Sequence, residues 1–206
     1  MAARVAGIAT MLAAVLGVIG GARAAVVADG REWAQPADYA GLTWSSIATV
    51  CPVGGGACAG WIGSRSFDGW TWATVGEVGS LFHYFESSFP DNGSASLSLP
   101  SPNSIETSFF VQFVPAHDTT VQRYVGGWSA TPSDASHAYK PFVNDLKNPA
   151  SLDVYRTDAA PATNSYLPLD GAWLYRSPAV PLPAALPLFA SALLALGASL
   201  RRRVNV

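Results

Sequence analysis

Cys51 and Cys58 are the two cysteines of the chain, and they stand in the phrase CPVGGGAC. In an oxidising compartment such a pair usually forms a disulfide. A zinc site would need further ligands, and no other cysteine or histidine lies near in sequence. Redox centres typically use the tighter Cys-x-x-Cys spacing. We therefore predict a structural disulfide that clips a glycine-rich loop, with no metal and no cofactor.

The three histidines are further side chains whose type suits catalysis. His83, His117 and His137 are too scattered for a spaced metal motif. The neighbours His117 and Asp118 could bind a metal or act as a base, but aspartate at a strand-turn junction commonly initiates a turn. No nucleophile elbow, phosphate loop, dinucleotide fingerprint or calcium loop occurs in the sequence. We expect no catalytic residues and no enzymatic activity.

A phrase that occurs twice indicates the elements of the N-terminal half. Residues 41–50 and 69–78 share Gly, Thr, Trp, an aliphatic residue and Val at matching positions. In the second copy Thr74 and Glu77 form a capping box before apolar residues at helical spacing, which predicts a helix of about 11 residues. The first copy predicts a shorter helix from Ser45 to Val50. Two copies are too few for a solenoid, so we expect two similar turns packed into one core.

The C-terminal half has the composition of β-structure. The strongest predicted strand is Phe109–Val114, with Thr120–Val125 as its neighbour and Asp118 in the connecting turn. Weaker strands are predicted at Leu152–Arg156 and Ala172–Arg176. The polar segments Asp91–Ser104 and Ser129–Ser136 should be exposed loops. The predicted fold class is α+β, with short amphipathic helices in the N-terminal half and an antiparallel sheet in the C-terminal half.

Two phrases of the N-terminal half combine tryptophan with a following helix. Thr43-Trp44 leads to Cys51, and residues 69–74 (GWTWAT) are followed by Glu77-Val78. These phrases resemble the tryptophan-helix-cysteine and Trp-Arg-Leu-Pro-Thr, Glu-Leu phrases of bacterial domains with a C-type-lectin-like fold. Thr71-Trp72-Ala73 replaces the Arg-Leu-Pro, so no binding residue is transferred.

The two ends of the chain have the composition of membrane-targeting segments. The first 24 residues comprise a short region with Arg4, an apolar run from Val5 to Gly21 and the small-x-small ending Ala22-Arg23-Ala24. This pattern predicts a signal peptide cleaved before Ala25. The alternative is an uncleaved membrane helix, which the short run and the lack of a following cationic stop disfavour.

At the other end, residues 184–200 are uncharged and are followed at once by Arg201, Arg202 and Arg203. A helix of this length spans roughly 26 Å, slightly less than the hydrocarbon core of about 30 Å. Arginines favour the cytoplasmic side, so the domain of residues 25–179 should face away from the cytoplasm. We predict a single C-terminal transmembrane helix over residues 184–200.

Just before this helix stands the phrase Val180-Pro181-Leu182-Pro183-Ala184. Proline motif, apolar helix and basic cluster together resemble the VPLPA-CTERM variant of the PEP-CTERM sorting tail, which covers residues 180–206. The resemblance implies export in a Gram-negative bacterium that makes exopolysaccharide, and recognition by an exosortase. The commoner tail has glutamate where this chain has Leu182. The resemblance therefore leaves open which processing enzyme recognises this motif.

The net charge of the central part of the chain limits which classes of molecule it can bind. Residues 25–180 hold seven basic and fourteen acidic side chains, a net charge of −7. Such a surface repels phosphate backbones, which argues against nucleic acid as a partner. The expected partners are the membrane, an exosortase-type enzyme and extracellular polysaccharide.

Three functions stand as hypotheses. The first is a non-catalytic cell-envelope or extracellular-matrix protein, held first in the inner membrane and then sorted to the cell surface or matrix. Exposed members of its seven tryptophans could stack on sugar rings. The second is an exported hydrolase with an unrecognised site. The third is a purely structural spacer.

Overall fold

Short strands make up most of the described chain, which comprises residues 24–91, 95–100, 108–120, 122–145, 152–162 and 169–178 of the computed structural model. In chain order the strands are β1 (Val26–Ala28), β2 (Arg31–Trp33), β3 (Gly56–Ala57), β4 (Trp61–Ile62), β5 (Arg65–Ser66), β6 (Thr71–Trp72), β7 (Ser96–Pro100), β8 (His117–Asp118), β9 (Arg123–Trp128), β10 (His137–Asp145), β11 (Leu152–Pro161), β12 (Gly171–Ala172) and β13 (Leu174–Arg176). The helices are α1 (Trp44–Ile47), α2 (Val75–Phe85) and α3 (Phe110–Gln112), and a 3-10 turn spans Pro36–Tyr39. The α+β class is confirmed, but strands occur in the N-terminal half as well.

Helix α2 begins at the predicted capping box and has the predicted length of 11 residues. The Thr74 hydroxyl accepts from the backbone N–H of Glu77, and the Glu77 carboxylate accepts from the backbone N–H of Thr74 at 2.8 Å. Two amide donors that a helix start leaves unpaired are thereby satisfied. One face of the helix is buried, and its buried residues are Val78, Gly79, Leu81 and Phe82.

The repeated phrase does not give two equivalent structures. Thr43 caps α1 and Trp44 is the first helical residue, whereas the matching Trp72 lies in strand β6 before the Thr74 cap. The rings of Trp44 and Trp72 are nevertheless in contact, with centroids 5.5 Å apart. The two tryptophans therefore share one apolar cluster, whereas Val78 of the second copy belongs to a different cluster, so the copies do not pack into a single core as predicted. Helix α1 is also shorter than the helix predicted over Ser45–Val50.

The strand predicted over Phe109–Val114 is wrong, because the chain forms a helical turn there. The N–H of Phe113 donates to the Phe109 carbonyl at 2.8 Å, the spacing of an α-helix. Burial follows the helical period and not the alternation of a strand. The buried residues are Phe109, Phe110 and Phe113, and the exposed ones are Val111 and Val114. A short apolar run is compatible with either element, so its composition did not decide between them.

A mainly antiparallel sheet of six strands has the order β12-β9-β10-β11-β7, with β8 paired to β9. Strand β10 is its centre, and the sequence did not predict it because Pro141 interrupts the pattern. The β9–β10 ladder stops at the pair Phe142–Gly126, next to Pro141, so no ladder bond to β9 is lost to the proline.

Three neighbouring predictions are corrected by this sheet. The predicted loop 91–104 contains β7, which pairs with β11. The strand predicted over Thr120–Val125 begins only at Arg123, and it pairs with β8, β10 and β12 instead of residues 109–114. Asp118 lies in β8 and not in the turn.

The strands predicted at Leu152–Arg156 and Ala172–Arg176 are present. The first extends to Pro161, and the second is divided at Trp173.

A second sheet has the order β1-β2-β13-β6-β3, so the last strand of the described chain lies at its centre. Trp173 links the two sheets. Its N–H donates to the Trp128 carbonyl at 3.1 Å, and its carbonyl accepts from the N–H of Ala73 at 2.9 Å. The final residues of the domain therefore hold both sheets together.

Four tryptophan side chains are fully buried, namely Trp33, Trp72, Trp128 and Trp173. A buried indole needs a partner for its N–H, and each has one. The acceptors are the carbonyls of Ala28 for Trp33, Trp128 for Trp72, Leu42 for Trp128 and Pro141 for Trp173. These rings belong to two apolar clusters, one around α2 and one around the disulfide.

Among the described residues no helix has the length and hydropathy needed to span a bilayer. The predicted signal peptide and the predicted helix over residues 184–200 lie outside them. Both segments stay predictions.

Replacing Trp173 by alanine tests the contact that links the two sheets. Removing a fully buried indole from a core typically costs about 3–5 kcal/mol of unfolding free energy. Trp61→Ala is the matched control, because Trp61 is 62% exposed and such changes are usually within about 0.5 kcal/mol. Urea denaturation of both variants gives the two values. Similar small losses for both would contradict the central role of Trp173.

Candidate functional site

The predicted disulfide is present. Cys51 and Cys58 are bonded, with Cα atoms 4.2 Å apart, and both are buried. The loop between them turns through glycines with positive φ, which a side chain would strain. The N–H of Gly54 donates to the Ala130 carbonyl at 2.8 Å and ties the loop to the polar segment before β10. The disulfide thus joins the segment after α1 to the residue that directly follows β3, and it serves a structural role.

The histidines do not meet in the fold. His83 Nδ1 is bonded to the Phe89 carbonyl. His117 and Asp118 are consecutive residues of β8, so their side chains point to opposite faces. The described residues contain no group of three or more His, Cys, Asp or Glu side chains that could hold a metal. The pair that the sequence singled out is therefore not brought together as a site.

A Ser-His-Asp combination occurs at the turn before β10, but its geometry is that of a turn. Asp134 Oδ1 accepts from the N–H groups of Ser136 and His137 at 2.7 and 2.8 Å. These bonds hold the pKa of the Asp134 carboxyl well below its usual value. Ser136 Oγ and Asp134 both contact Nδ1 of His137, so the imidazole does not stand between them as a relay would require.

The first polar cluster revealed by the fold joins α2 to the second sheet. The Tyr175 hydroxyl donates to Glu77 Oε1 at 2.6 Å, and Arg31 Nη2 lies 3.4 Å from the same oxygen. The Arg31 guanidinium also lies 4.4 Å from the centroid of the Tyr175 ring. Burial on its own would raise the pKa of Glu77. The bonds from Tyr175 and Thr74 and the charge of Arg31 outweigh burial and lower that pKa.

The second cluster is buried between β9, β10 and the segment that enters β12. Lys140 Nζ lies 2.9 Å from Asp170 Oδ2, and the Tyr124 hydroxyl donates to Asp170 Oδ1 at 2.6 Å. The side chains of Lys140 and Asp170 are 9% and 0% exposed. An amine nucleophile, a carboxyl and a hydroxyl donor are therefore held together away from water. This cluster could not be recognised in the sequence, because β10 was not predicted and the three residues are separated by 16 and 30 positions.

The tryptophans divide into core and surface. Trp44 and Trp70 are partly buried, and Arg176 lies 4.5 Å from the centroid of the Trp70 ring. Trp61, in the β4–β5 hairpin, is the exposed member of the seven, all of which are described. Ser66 stands opposite it in the hairpin. Trp61 is therefore the indole that is available to stack on a ligand.

The remaining predicted site residues lie outside the described part of the chain. They are the sorting motif Val180, Pro181, Leu182, Pro183 and Ala184, and the arginines Arg201, Arg202 and Arg203.

The Glu77 cluster predicts a pH-dependent stability. Because the folded-state pKa of Glu77 lies below its ordinary value of 4.5, the ionised carboxylate stabilises the fold above that pH, and the contribution is lost as the pH falls through the lowered pKa. Glu77→Gln should therefore be less stable than the parent at pH 7, with a difference that shrinks towards acid pH. Urea denaturation across this range measures it.

Tyr175→Phe is the matched variant, because it removes one donor to the Glu77 carboxylate while the charge remains. Tyr175→Phe should reproduce part of the loss of unfolding free energy that Glu77→Gln causes at pH 7. A destabilisation by Glu77→Gln that is the same at every pH would contradict the assignment.

Comparison with known proteins leaves the site to be interpreted from its own chemistry. No protein-family model, no curated protein and no solved structure matches this chain.

Proposed function

We propose that this chain is a non-catalytic cell-envelope or extracellular-matrix protein that is exported, held by its C-terminal tail and processed through the VPLPA motif. The observation that carries the proposal is where the folded unit ends. The first compact unit of the chain stops at Arg176, shortly before Val180, where the segment that resembles a sorting tail begins. Cleavage in the motif at residues 180–184 would therefore leave every described strand intact.

The disulfide supports export. A bond between two cysteines persists in oxidising compartments and is rare in the reducing cytosol. Cys51 and Cys58 are both buried and bonded in the fold. The domain is thus built for the compartment to which a signal peptide would deliver it.

The sorting step follows from the chemistry of the tail. Pro181 and Pro183 keep the approach to the apolar segment extended, because proline disfavours a helix at and before its own position. An extended strand suits the cleft of a processing enzyme. Residues 184–200 are only just long enough to cross a bilayer, so they suit a removable anchor.

The hydrolase alternative has less support from the described residues, because His117 and Asp118 point apart in β8. Turnover of polysaccharide or peptide substrates that is lost on changing either residue would favour it over our proposal.

The tail is tested by two sets of substitutions in the full chain. Changing Arg201, Arg202 and Arg203 to glutamate should weaken membrane retention, because it removes the cytoplasmic stop. Changing Pro181 and Pro183 to alanine should preserve insertion and block processing, and Pro178→Ala is the matched control outside the motif. The apparent mass and the membrane fraction of the protein, with and without the host exosortase, are the measurements. If the mature protein keeps Arg201–Arg203 while that enzyme is active, the tail is a plain membrane anchor.

Contact with polysaccharide is the second testable part of the proposal. Stacking on an exposed indole is worth about 1–3 kcal/mol when the partner is a nucleic-acid base, and a sugar face offers a similar apolar surface. Trp61→Ala in the full chain in detergent should therefore weaken binding to exopolysaccharide about tenfold or more. Tyr84→Ala, which removes another exposed aromatic ring, is the control. Unchanged binding by Trp61→Ala would exclude Trp61 as the contact.

A further inference from the structure

The cluster of Lys140, Asp170 and Tyr124 contains the parts of an acyl-transfer site. Lys140 Nζ contacts the Asp170 carboxylate at 2.9 Å, and Tyr124 donates to its other oxygen at 2.6 Å. Neither Lys140 nor Asp170 has more than 9% of its side chain exposed. A buried ion pair is often no more stabilising than an apolar pair of the same size, so its position in the core suggests a purpose other than charge pairing.

We propose that Lys140 and Asp170 become joined by an intramolecular amide bond, formed by the folded domain itself. The bond links the Lys140 amine to the Asp170 side chain and releases one water. It would be a second covalent cross-link, between β10 and the segment entering β12. The inference does not depend on the proposed sorting function.

The step balances without any co-reactant. One proton passes from Nζ to Oδ2, which leaves a neutral amine and a neutral carboxyl group. The Nζ lone pair adds to Cγ, and negative charge develops on Oδ1. A second proton passes from Nζ to the Oδ2 hydroxyl, the Cγ–Oδ2 bond breaks, and water leaves. Oδ1 remains as the carbonyl oxygen of the new amide.

Each group stands where this step needs it. The Tyr124 hydroxyl donates to Oδ1, the oxygen that bears the developing charge, and a donor placed in this way typically contributes about 10²- to 10³-fold in rate. Holding amine and carboxyl in contact supplies an effective concentration of about 10⁵ M or more. Exclusion of water disfavours hydrolysis of the product.

The surrounding backbone fixes the geometry. A side chain at Gly126 would stand 2.2 Å from the Tyr124 hydroxyl, so glycine leaves the room that the phenol occupies. The carbonyl of Asp170 accepts from the N–H of Gly41 at 2.9 Å. Gly171 packs so closely on Pro36 that a Cβ would overlap the Pro36 carbonyl oxygen. The Asp170 carboxyl is therefore held in one position before Lys140.

The decisive experiment is a peptide map of the full chain purified from the envelope fraction in detergent and reduced. Trypsin should release residues 124–147 and 157–176 as one species, lighter than their sum by one water, with fragment ions that place the link at Lys140 and Asp170. A folded parent protein whose two peptides are separate and of unchanged mass would overturn the proposal.

Two variants distinguish the Lys140–Asp170 amide bond from other reactions that also release one water. Lys140→Arg keeps the positive charge but removes the amine nucleophile, so the peptides should separate at full mass. A succinimide at Asp170-Gly171 would also lose one water, yet it would leave two peptides and would persist in Lys140→Arg, and that result would refute the cross-link. Tyr124→Phe should slow formation about 100-fold and give a mixture of linked and unlinked protein. If Lys140→Arg does not fold, the map of the parent chain still decides.

Discussion

The indole of Trp173 and the backbone on either side of it are the contact on which both sheets depend. The ring packs against Trp33, Phe82 and Phe113 from three separate elements, with centroids 5.7–6.3 Å apart. Its N–H donates to the Pro141 carbonyl at 2.9 Å, which ties the ring to β10. The backbone of Trp173 also forms hydrogen bonds with Trp128 and Ala73. This residue therefore contributes both to the apolar cluster and to the hydrogen bonding that connects the two sheets.

Both polar clusters, one buried and one partly buried, lie beside this contact. Asp170 precedes Trp173 and pairs with Lys140, while Tyr175 follows it and donates to Glu77. A charge removed from water needs a partner with good geometry, or the cost of desolvation exceeds the gain. Residues 170–175 supply such partners to β10 on one side and to α2 on the other. The path of this segment is therefore specified by polar pairing as well as by the burial of an indole.

Local signals in the sequence were sufficient for some elements and not for others. The Thr74–Glu77 box fixed α2 because a capping box is a contact between near neighbours, and the close spacing of Cys51 and Cys58 did the same for the disulfide. The sequence predicts a strand over residues 109–114, because a short run of five apolar residues and one glutamine is compatible with either period. Strand β10 could not be predicted because a proline is acceptable within a sheet only where the neighbouring ladder has stopped. That the β9–β10 ladder stops next to Pro141 is visible only in the fold. The Lys140–Asp170–Tyr124 cluster depends on that strand and could not be inferred without it.

The position of the final strand also constrains the order of events in an exported chain. Strand β13 lies between β2 and β6, and Arg176 pairs with Glu32 across a separation of 144 residues. Contacts of such long range form late, because the chain must close a large loop before they contribute. If the chain is exported as proposed, the second sheet cannot close until the last residues of the domain have left the export channel. In a chain with a sorting tail, completion of the fold would then follow translocation of the domain and coincide with arrival of the tail at the membrane, so the processing enzyme would meet a domain that has its whole sequence available to fold.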